Sequence, residues 1–281
     1  MEPVAYDCID AHHHLWNYSE EQYPWMSDKM QVLRQNYLPD DLQVVMQASG
    51  VDGTVAVQAR QTLQETEWLL DLANQHPFIR GVVGWAPLID PAVGQELEKF
   101  AAHPKMKAVR HVLHDEQDDF YMLREDFNRG IALLKNYGLR YDILIFERHL
   151  PQTITFVDKH PSQIFIVDHI AKPLIREGQI SNWRENLMEL SKRENVYCKL
   201  SGMVTEADWQ TWTDASLSPY FEIVLQAFGP ARLMFGSDWP VLNLASNYDQ
   251  WVQTVKRAIR TLSATEQARI MGATAKDAYR L

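Results

Sequence analysis

Two stretches of the sequence decide the predicted fold: Ile143-Leu144-Ile145-Phe146 and Ile164-Phe165-Ile166-Val167. Each is apolar for four consecutive residues, without the alternation of a strand that has one face in water. Strands that are buried on both faces have this pattern, and the usual cause is a parallel sheet covered by helices. The rest of the sequence predicts six more short apolar strands. The eight predicted strands are Tyr6–His12, Gly53–Ala59, Arg80–Pro87, Met106–Leu113, Leu139–Phe146, Gln163–Asp168, Asn195–Leu200 and Arg232–Gly236.

Helical patterns separate most of these strands. The predicted helices are Thr62–Gln75, Asp90–His103, Phe127–Tyr137, Leu150–His160, Asn182–Arg193, Ser218–Phe228 and Tyr248–Arg260, with a last helix opened by the capping box that begins at Ser263. The strand starts are about 32 residues apart, which is the size of one unit of a (β/α)₈ barrel. We therefore predict a single barrel domain over residues 1–281, with additional C-terminal helices. An open, doubly wound sheet is the alternative, because periodicity does not show whether a sheet closes.

The composition excludes several classes of protein. The chain has 281 residues, 46% of them hydrophobic, and a net charge of −10. This excludes a largely disordered chain and argues against a basic surface for nucleic acid or for an anionic membrane. Cys8 and Cys198 are predicted to be buried thiols in strands, which favours a reducing compartment. Residues Met1–Val4 carry no feature of a secretory signal, so we expect a cytoplasmic protein.

Two strand ends carry candidate metal ligands and a candidate base. In a (β/α)₈ barrel, functional residues lie at the C-terminal ends of strands. His12 and His14 are two apart in a strand, so they face the same side, and His13 faces away. Two imidazoles on one face can chelate zinc, although a polar loop would have the same residues. Asp238 follows the eighth strand, where it could bind the metal, accept a proton from water, or cap a loop.

Other strand ends carry candidate substrate contacts. His169 and Lys172 follow the sixth strand, where the histidine could face the barrel mouth or cap the strand, and the lysine could neutralise an oxyanion. Arg60, Arg110 and His111 lie at other strand ends and suggest a polar or anionic substrate. Trp16 and Trp85 could form the floor of a sugar site or belong to the core. The absence of a glycine-rich phosphate loop and of a nucleophile elbow favours water as the nucleophile.

These motifs resemble those of the amidohydrolase superfamily, and within it the group that includes sugar lactonases. The motifs that carry the resemblance are Ile9–Trp16, Tyr23–Trp25, Val57–Arg60, Val109–His111, Val167–Pro173, Lys199–Gly202 and Phe235–Pro240. The resemblance implies a metal pair at His12 and His14, a metal-binding or water-activating Asp238, and a His169 near the reacting carbonyl. It implies at most one divalent metal, zinc in the first place, because strand five lacks a further ligand; some members of the group need none. The strand-six motif usually has glycine where this chain has Ala171.

The resemblance therefore predicts a hydrolase that opens an aldonolactone of a 6-deoxy sugar, such as L-fucono- or L-rhamnono-lactone. Asp238 is the predicted general base, and His12, His14 and His169 polarise the carbonyl. A metal-dependent decarboxylase of an aromatic or muconic acid on the same scaffold is the alternative, and a non-catalytic sugar-acid binding protein is the third reading. Barrels of this kind are often homo-oligomers, which leaves self-association open.

Overall fold

The computed structural model describes residues 6–281, and its centre is a closed barrel of eight parallel strands. Neighbouring strands in the sequence pair with each other around the barrel. A parallel bridge between His13 and Trp239 then joins the first strand to the last. This confirms the predicted (β/α)₈ barrel and excludes the open sheet. The expectation drawn from Met1–Val4 lies outside the described residues.

The barrel has a simple element order, in which a helix or turn follows every strand. The strands are β1 (Ile9–His13), β2 (Gly53–Val57), β3 (Ile79–Gly84), β4 (Met106–Val112), β5 (Arg140–Leu144), β6 (Phe165–Val167), β7 (Val196–Leu200) and β8 (Leu233–Phe235). The helices are α1 (Pro39–Ala48), α2 (Leu63–Gln75), α3 (Val93–Ala101), α4 (Glu125–Leu134), α5 (Leu150–Asp158), α6 (Ser181–Leu190), α7 (Met203–Glu206), α8 (Asp214–Phe228), α9 (Tyr248–Ala258), α10 (Ala264–Ala268) and α11 (Thr274–Tyr279). No helix in residues 6–281 is long and apolar enough to cross a membrane.

All eight predicted strands exist, but most of their predicted C-terminal ends are wrong by one to three residues. Apolar residues such as Ile145 continue past the hydrogen-bonded ladder because the loops at the barrel mouth are themselves buried. The first strand begins at Ile9 instead of Tyr6, and it extends through His13. The sixth ends at Val167, before Asp168. Both cysteines are buried and free, as predicted, but only Cys198 lies in a strand, because β1 begins one residue after Cys8.

The helix predictions missed α1 and α7 and misplaced the start of three others by two residues or more, including α4, which begins at Glu125 instead of Phe127. Helix α1 begins at Pro39, a favourable first position for proline, after a long loop that hid it. Helix α3 begins at Val93 instead of Asp90. Helix α8 begins at Asp214 instead of Ser218, because the Thr213 side chain accepts a hydrogen bond from a backbone N–H of the first turn. The predicted capping box at Ser263 is confirmed.

A buried carboxylate holds the ends of β1 and β8 together. Asp10, on β1, accepts hydrogen bonds from the backbone N–H of Ser237 at 2.8 Å and from its hydroxyl at 2.6 Å. The Tyr248 hydroxyl, at the start of α9, donates to the same carboxylate at 2.9 Å. Burial raises the pKa of Asp10 to about 6, against the opposing effect of these donors. The closure of the barrel therefore includes a polar cluster in its interior.

We expect Tyr248→Phe to lower the free energy of unfolding by about 1.5–3 kcal/mol at pH 8, where Asp10 is ionised. The cause is the loss of a hydrogen bond to a buried carboxylate. Denaturant unfolding of both forms measures the difference. Tyr137→Phe is the control, since Tyr137 is only partly buried, on the turn that follows α4, and it should change stability by less than about 0.5 kcal/mol. Equal effects of the two substitutions would contradict the role of the Asp10 cluster.

Candidate functional site

Four of the predicted residues meet at the C-terminal end of the barrel. The Nε2 atoms of His12 and His14 are 3.2 Å apart. Asp238 places Oδ1 at 3.5 Å from His14 Nε2, at 3.7 Å from His12 Nε2 and at 3.9 Å from His169 Nε2. All four side chains are buried. The structure therefore brings together residues from the ends of three different strands.

Because successive side chains of β1 point to opposite faces, its histidines have the orientations that the sequence predicted. His12 and His14 face the barrel interior, whereas the Nε2 atom of His13 lies 3.0 Å from Thr54 Oγ1. Gly236 allows the backbone after β8 to approach His12 closely, because a Cβ at position 236 would lie 2.9 Å from the Cβ of His12. Asp238 has a left-handed backbone, with φ +60°. Asp and Asn tolerate this conformation better than most residues do.

His169 lies on a strained turn that follows β6. Residues 169–172 all have positive φ, between +45° and +62°. Ala171 is one of them, which gives a physical reason for the glycine that related motifs carry there. Gly202 allows the histidine to fit, since a Cβ there would lie 2.6 Å from its ring. His169 Nδ1 is 2.9 Å from Ser201 Oγ, which fixes the ring. Several non-glycine residues in this conformation are expected only where the surrounding structure and the function require them.

A cavity of about 240 Å³ is lined by three of the four residues, His14, His169 and Asp238, and His12 lies behind them. Its lining includes three further predicted residues, Trp16, Arg110 and Lys172. It also includes residues that the sequence analysis did not select: Trp25, Ala59, Val112, His114, Asp115, Leu144 and Val241. Trp25 belongs to the motif Tyr23–Trp25, which contributes to the family resemblance, and His114 lies only two residues beyond β4. Position relative to a strand end could therefore have suggested both.

Three predicted substrate-contact residues do not line this cavity. The indole N–H of Trp85 is directed at His111 Nδ1, at 3.4 Å. His111 Nε2 lies 2.6 Å from a Glu116 oxygen, and its ring stacks on Tyr121. Arg60 lies over the ring of Tyr23. Neighbouring residues on a strand face opposite sides, so Arg110 points into the barrel and His111 does not.

A cluster of buried charges lies beneath His12, and of its members only Arg110 was selected as a site residue from the sequence. Lys199 Nζ donates to Asp142 Oδ2 at 2.6 Å and lies 2.9 Å from Asp168 Oδ1. Arg110 Nη1 donates to Asp168 Oδ2 at 3.0 Å. The Tyr279 hydroxyl, from α11, donates to Asp142 at 2.6 Å. A lysine within the apolar strand at residues 196–200 was the signal for this cluster.

Burial and neighbouring charges set the ionisation of the cavity. Burial lowers the pKa of His169 to about 4, in spite of Asp238 and Asp168 nearby. Burial lowers the pKa of His114 to about 2, and Lys172 and Arg110 contribute to this. For Asp238, burial acts to raise the pKa, but the His169 and His14 imidazoles outweigh it and hold the pKa below its usual value. At neutral pH the cavity therefore presents the Asp238 carboxylate beside the neutral imidazoles of His169 and His114.

His12, His14 and Asp238 fit a single divalent cation, and their ligand atoms lie within 4.8 Å of one another. His14 Nδ1 lies 2.8 Å from the Val57 carbonyl, which only accepts, so Nδ1 carries the proton and Nε2 is free. His12 Nδ1 lies 3.3 Å from Asp168 Oδ1, an oxygen that is also paired with Lys199 Nζ at 2.9 Å. Asp168 can therefore accept from Nδ1 when His12 binds a metal through Nε2. Two imidazoles and a carboxylate are typical ligands of zinc.

The arrangement can support attack by water on a carbonyl group. An ionised carboxylate in a cavity can accept a proton from water. Arg110 and Lys172 line the same cavity and can stabilise a developing oxyanion. The neutral His169 can donate a hydrogen bond from Nε2, since its Nδ1 is occupied by Ser201. These are the chemical requirements of ester or lactone hydrolysis.

Comparison with known proteins also relates this chain to hydrolases. Residues 9–281 match the amidohydrolase family model. An L-fucono-1,5-lactonase from Burkholderia multivorans is 40% identical over 284 residues, which cover 97% of this chain and 96% of that protein. An L-fucono-1,5-lactonase from Burkholderia ambifaria is 33% identical, with 97% and 95% covered.

A solved structure extends the likeness to three dimensions. The crystal structure of an amidohydrolase from Burkholderia multivorans with bound zinc is 40% identical to this chain. It superimposes with a TM-score of 0.94, over 98% of this chain and 99% of that one. With a family model that matches residues 9–281 and a barrel that places its histidines and aspartate at the strand ends, the chain belongs to the amidohydrolase family.

Proposed function

We propose that the protein is a hydrolase that opens a sugar lactone, with L-fucono-lactone as the first candidate substrate and L-rhamnono-lactone as the second. The observation that carries the proposal is the Asp238 carboxylate, which is held ionised beside His12, His14 and His169 at the cavity. The L-fucono-1,5-lactonases that match nearly the whole chain support the substrate class.

Asp238 is the proposed general base. A water molecule attacks the lactone carbonyl carbon while Asp238 takes one of its protons. The tetrahedral intermediate then collapses, the bond between the carbonyl carbon and the ring oxygen breaks, and the proton passes from Asp238 to that oxygen. The product is the open-chain hydroxy acid. Removing a well-placed general base usually costs a factor of about 10²–10⁴ in rate.

His169 and the two cavity cations are the proposed oxyanion site. His169 donates from Nε2 as a neutral imidazole, and Ser201 holds its other nitrogen. Arg110 and Lys172 supply positive charge at the cavity wall. Trp16 is the proposed platform for the sugar ring. We assign no substrate contact to Arg60, His111 or Trp85, whose side chains have other partners outside the lining.

His12, His14 and Asp238 are the proposed ligands of one divalent cation, with zinc as the candidate. When bound, such an ion polarises the carbonyl and acidifies water. The chain's own part is to hold the ligands: Val57 fixes the His14 ring, and Asp168 faces His12 Nδ1. We also propose a single domain over residues 1–281 and a cytoplasmic location.

Asp238→Asn should lower kcat/KM for the preferred lactone at least about 10²-fold, because the amide cannot take a proton from water. Proton release in a weakly buffered indicator assay measures this. The panel is L-fucono-, L-galactono-, L-rhamnono- and D-arabinono-lactone. Asp71→Asn, at an exposed position on α2, is the matched control and should retain wild-type turnover.

Three outcomes would contradict the proposal. If Asp238→Asn retains most of the turnover, Asp238 is not the base. If the folded protein opens no lactone of the panel, with or without Zn²⁺, and instead releases carbon dioxide from aromatic or muconic acids, the decarboxylase reading replaces it. Saturable binding of sugar acids without turnover would favour a binding protein.

The pH dependence of kcat/KM should have its acid limb near pH 4. The pKa of His169 is about 4, and that of Asp238 lies below its usual value, so both keep their active forms as the pH falls from 8 to 5. Below this, protonated His169 would pair with Asp238 and quench the base. A histidine base with an ordinary pKa would place the limb near about 6.5.

The measurement is the rate of lactone loss by chromatography, with the spontaneous rate subtracted at each pH. Circular dichroism at each pH is the control for unfolding. A limb centred near 6.5 in folded protein would contradict the assignment of Asp238 as base and His169 as a neutral donor.

A further inference from the structure

The wall that β4 and β5 contribute to the cavity changes its chemistry from one layer of side chains to the next. Arg110 and Asp142 are register partners in the ladder between the two strands, and they form a charged layer. Val112 and Leu144 are register partners two residues further along, so they lie on the same face. Both line the cavity. An aliphatic pair therefore covers the buried charges on the side of the barrel mouth.

A third layer continues this wall toward the barrel mouth. His114 and Phe146 lie two residues beyond Val112 and Leu144, and their rings stack with centroids 4.6 Å apart. His114 lines the cavity, but neither of its ring nitrogens is available to a ligand. The Nδ1 atom is buried, and Nε2 lies 3.3 Å from Asp115 Oδ1. The second and third layers together therefore form an apolar wall.

This wall lies opposite the residues proposed for the chemical step. The eight strands follow one another around a closed barrel, so β4 and β5 lie across from β8 and β1. His14 and Asp238, which follow β1 and β8, line the cavity on that other side. A substrate whose carbonyl group is held beside Asp238 therefore extends across the cavity toward Val112 and Leu144.

The terminal methyl group is the part of a 6-deoxy-sugar lactone that such a wall accepts. A hydroxyl group that is buried against aliphatic side chains loses its hydrogen bonds to water, whereas a methyl group gains from the same burial. The backbone N–H of Val112 does not help a hydroxyl, because it donates to Gln61 Oε1 at 2.8 Å. Partners for the ring hydroxyls are present elsewhere in the lining, at Asp115 and Lys172.

We infer that Val112 and Leu144 form a binding site for the terminal methyl group of the sugar and thereby make the enzyme selective for a 6-deoxy lactone. The inference rests on the proposed function, since it takes a sugar lactone as the substrate. This methyl site contacts no reacting atom. Its two residues determine specificity, because they distinguish between lactones that carry different groups at the end of the carbon chain.

The first experiment compares three lactones that differ only in the terminal group. L-fucono-, L-galactono- and D-arabinono-lactone share the configuration at carbons 2, 3 and 4, and their carbon 5 carries a methyl group, a hydroxymethyl group and no further carbon, respectively. With all three at the same ring size, we expect kcat/KM for L-fucono-lactone to exceed each of the others about 10-fold, since an apolar site discriminates against a missing methyl group or an added hydroxyl to about this extent. Equal values of kcat/KM for the three lactones would overturn the inference.

The second experiment places a hydroxyl group in the methyl site. Val112→Thr keeps the size of the side chain and should lower the ratio of kcat/KM for L-fucono- over L-galactono-lactone about 5–10-fold, because threonine can form a hydrogen bond with the terminal hydroxyl. Val241→Thr is the matched control, since it makes the same change in the lining at the turn after β8. It should leave the ratio unchanged, whatever it does to the separate rates. An unchanged ratio in Val112→Thr, or an equal fall in both variants, would overturn the assignment.

Binding of the product acids separates this inference from the proposed function. Calorimetry on the unsubstituted protein measures the Kd of L-fuconate and of L-galactonate, and we expect L-fuconate to bind about 10-fold tighter. This comparison needs neither turnover nor a variant that folds. If the protein opens no lactone, the proposed function fails, and the affinities for the two acids still decide on the methyl site. Equal affinities, or no binding of either acid, would overturn the inference.

Discussion

The contact between the first and the last strand is the constraint on which the site depends. The backbone N–H of Asp238 donates to the carbonyl of His12 at 2.8 Å, and that of His14 donates to the carbonyl of Trp239 at 2.6 Å. Three of the residues that close the barrel, His12, His14 and Asp238, are therefore those whose side chains meet at the candidate metal site. Asp10 secures the same contact from inside. An error of register there would separate Asp238 from both histidines, because a shift of one residue turns side chains to the opposite face.

The interior of the barrel holds charge without a net excess. Lys199 and Arg110 face Asp142 and Asp168, in contacts that use both carboxylates. Buried pairs of this kind rarely add stability, because the cost of desolvation is close to the electrostatic gain. These carboxylates instead orient the two donors that reach His12, Lys199 and Arg110. The net charge of −10 belongs to the whole chain, whereas the cavity lining balances Arg110 and Lys172 against Asp115 and Asp238.

The sequence predicted the barrel and the four central residues because both depend on local signals. Apolar runs mark strands, and a residue at a strand end is placed at the mouth by the fold. It did not predict the buried cluster, since a lysine in β7 and an aspartate in β5 reveal nothing about each other until the barrel closes. Arg60 and Trp85 lie outside the cavity lining for a related reason: nearness to a strand end does not determine which way a side chain points. For Arg110 and His111, alternation along β4 could have separated the two.

The sequence does not predict which nitrogen of each histidine carries the proton, and this position determines what the histidines can bind. A His-x-His motif describes a metal chelate and a hydrogen-bonded pair equally well. The distinction depends on what lies behind each ring: a carbonyl behind His14, and a lysine together with a carboxylate behind His12. The carbonyl leaves its histidine ready to bind a metal in every state. The lysine and the carboxylate give the other histidine two states. The groups behind the two rings, and not the motif itself, therefore decide which ring nitrogens are free to bind a metal.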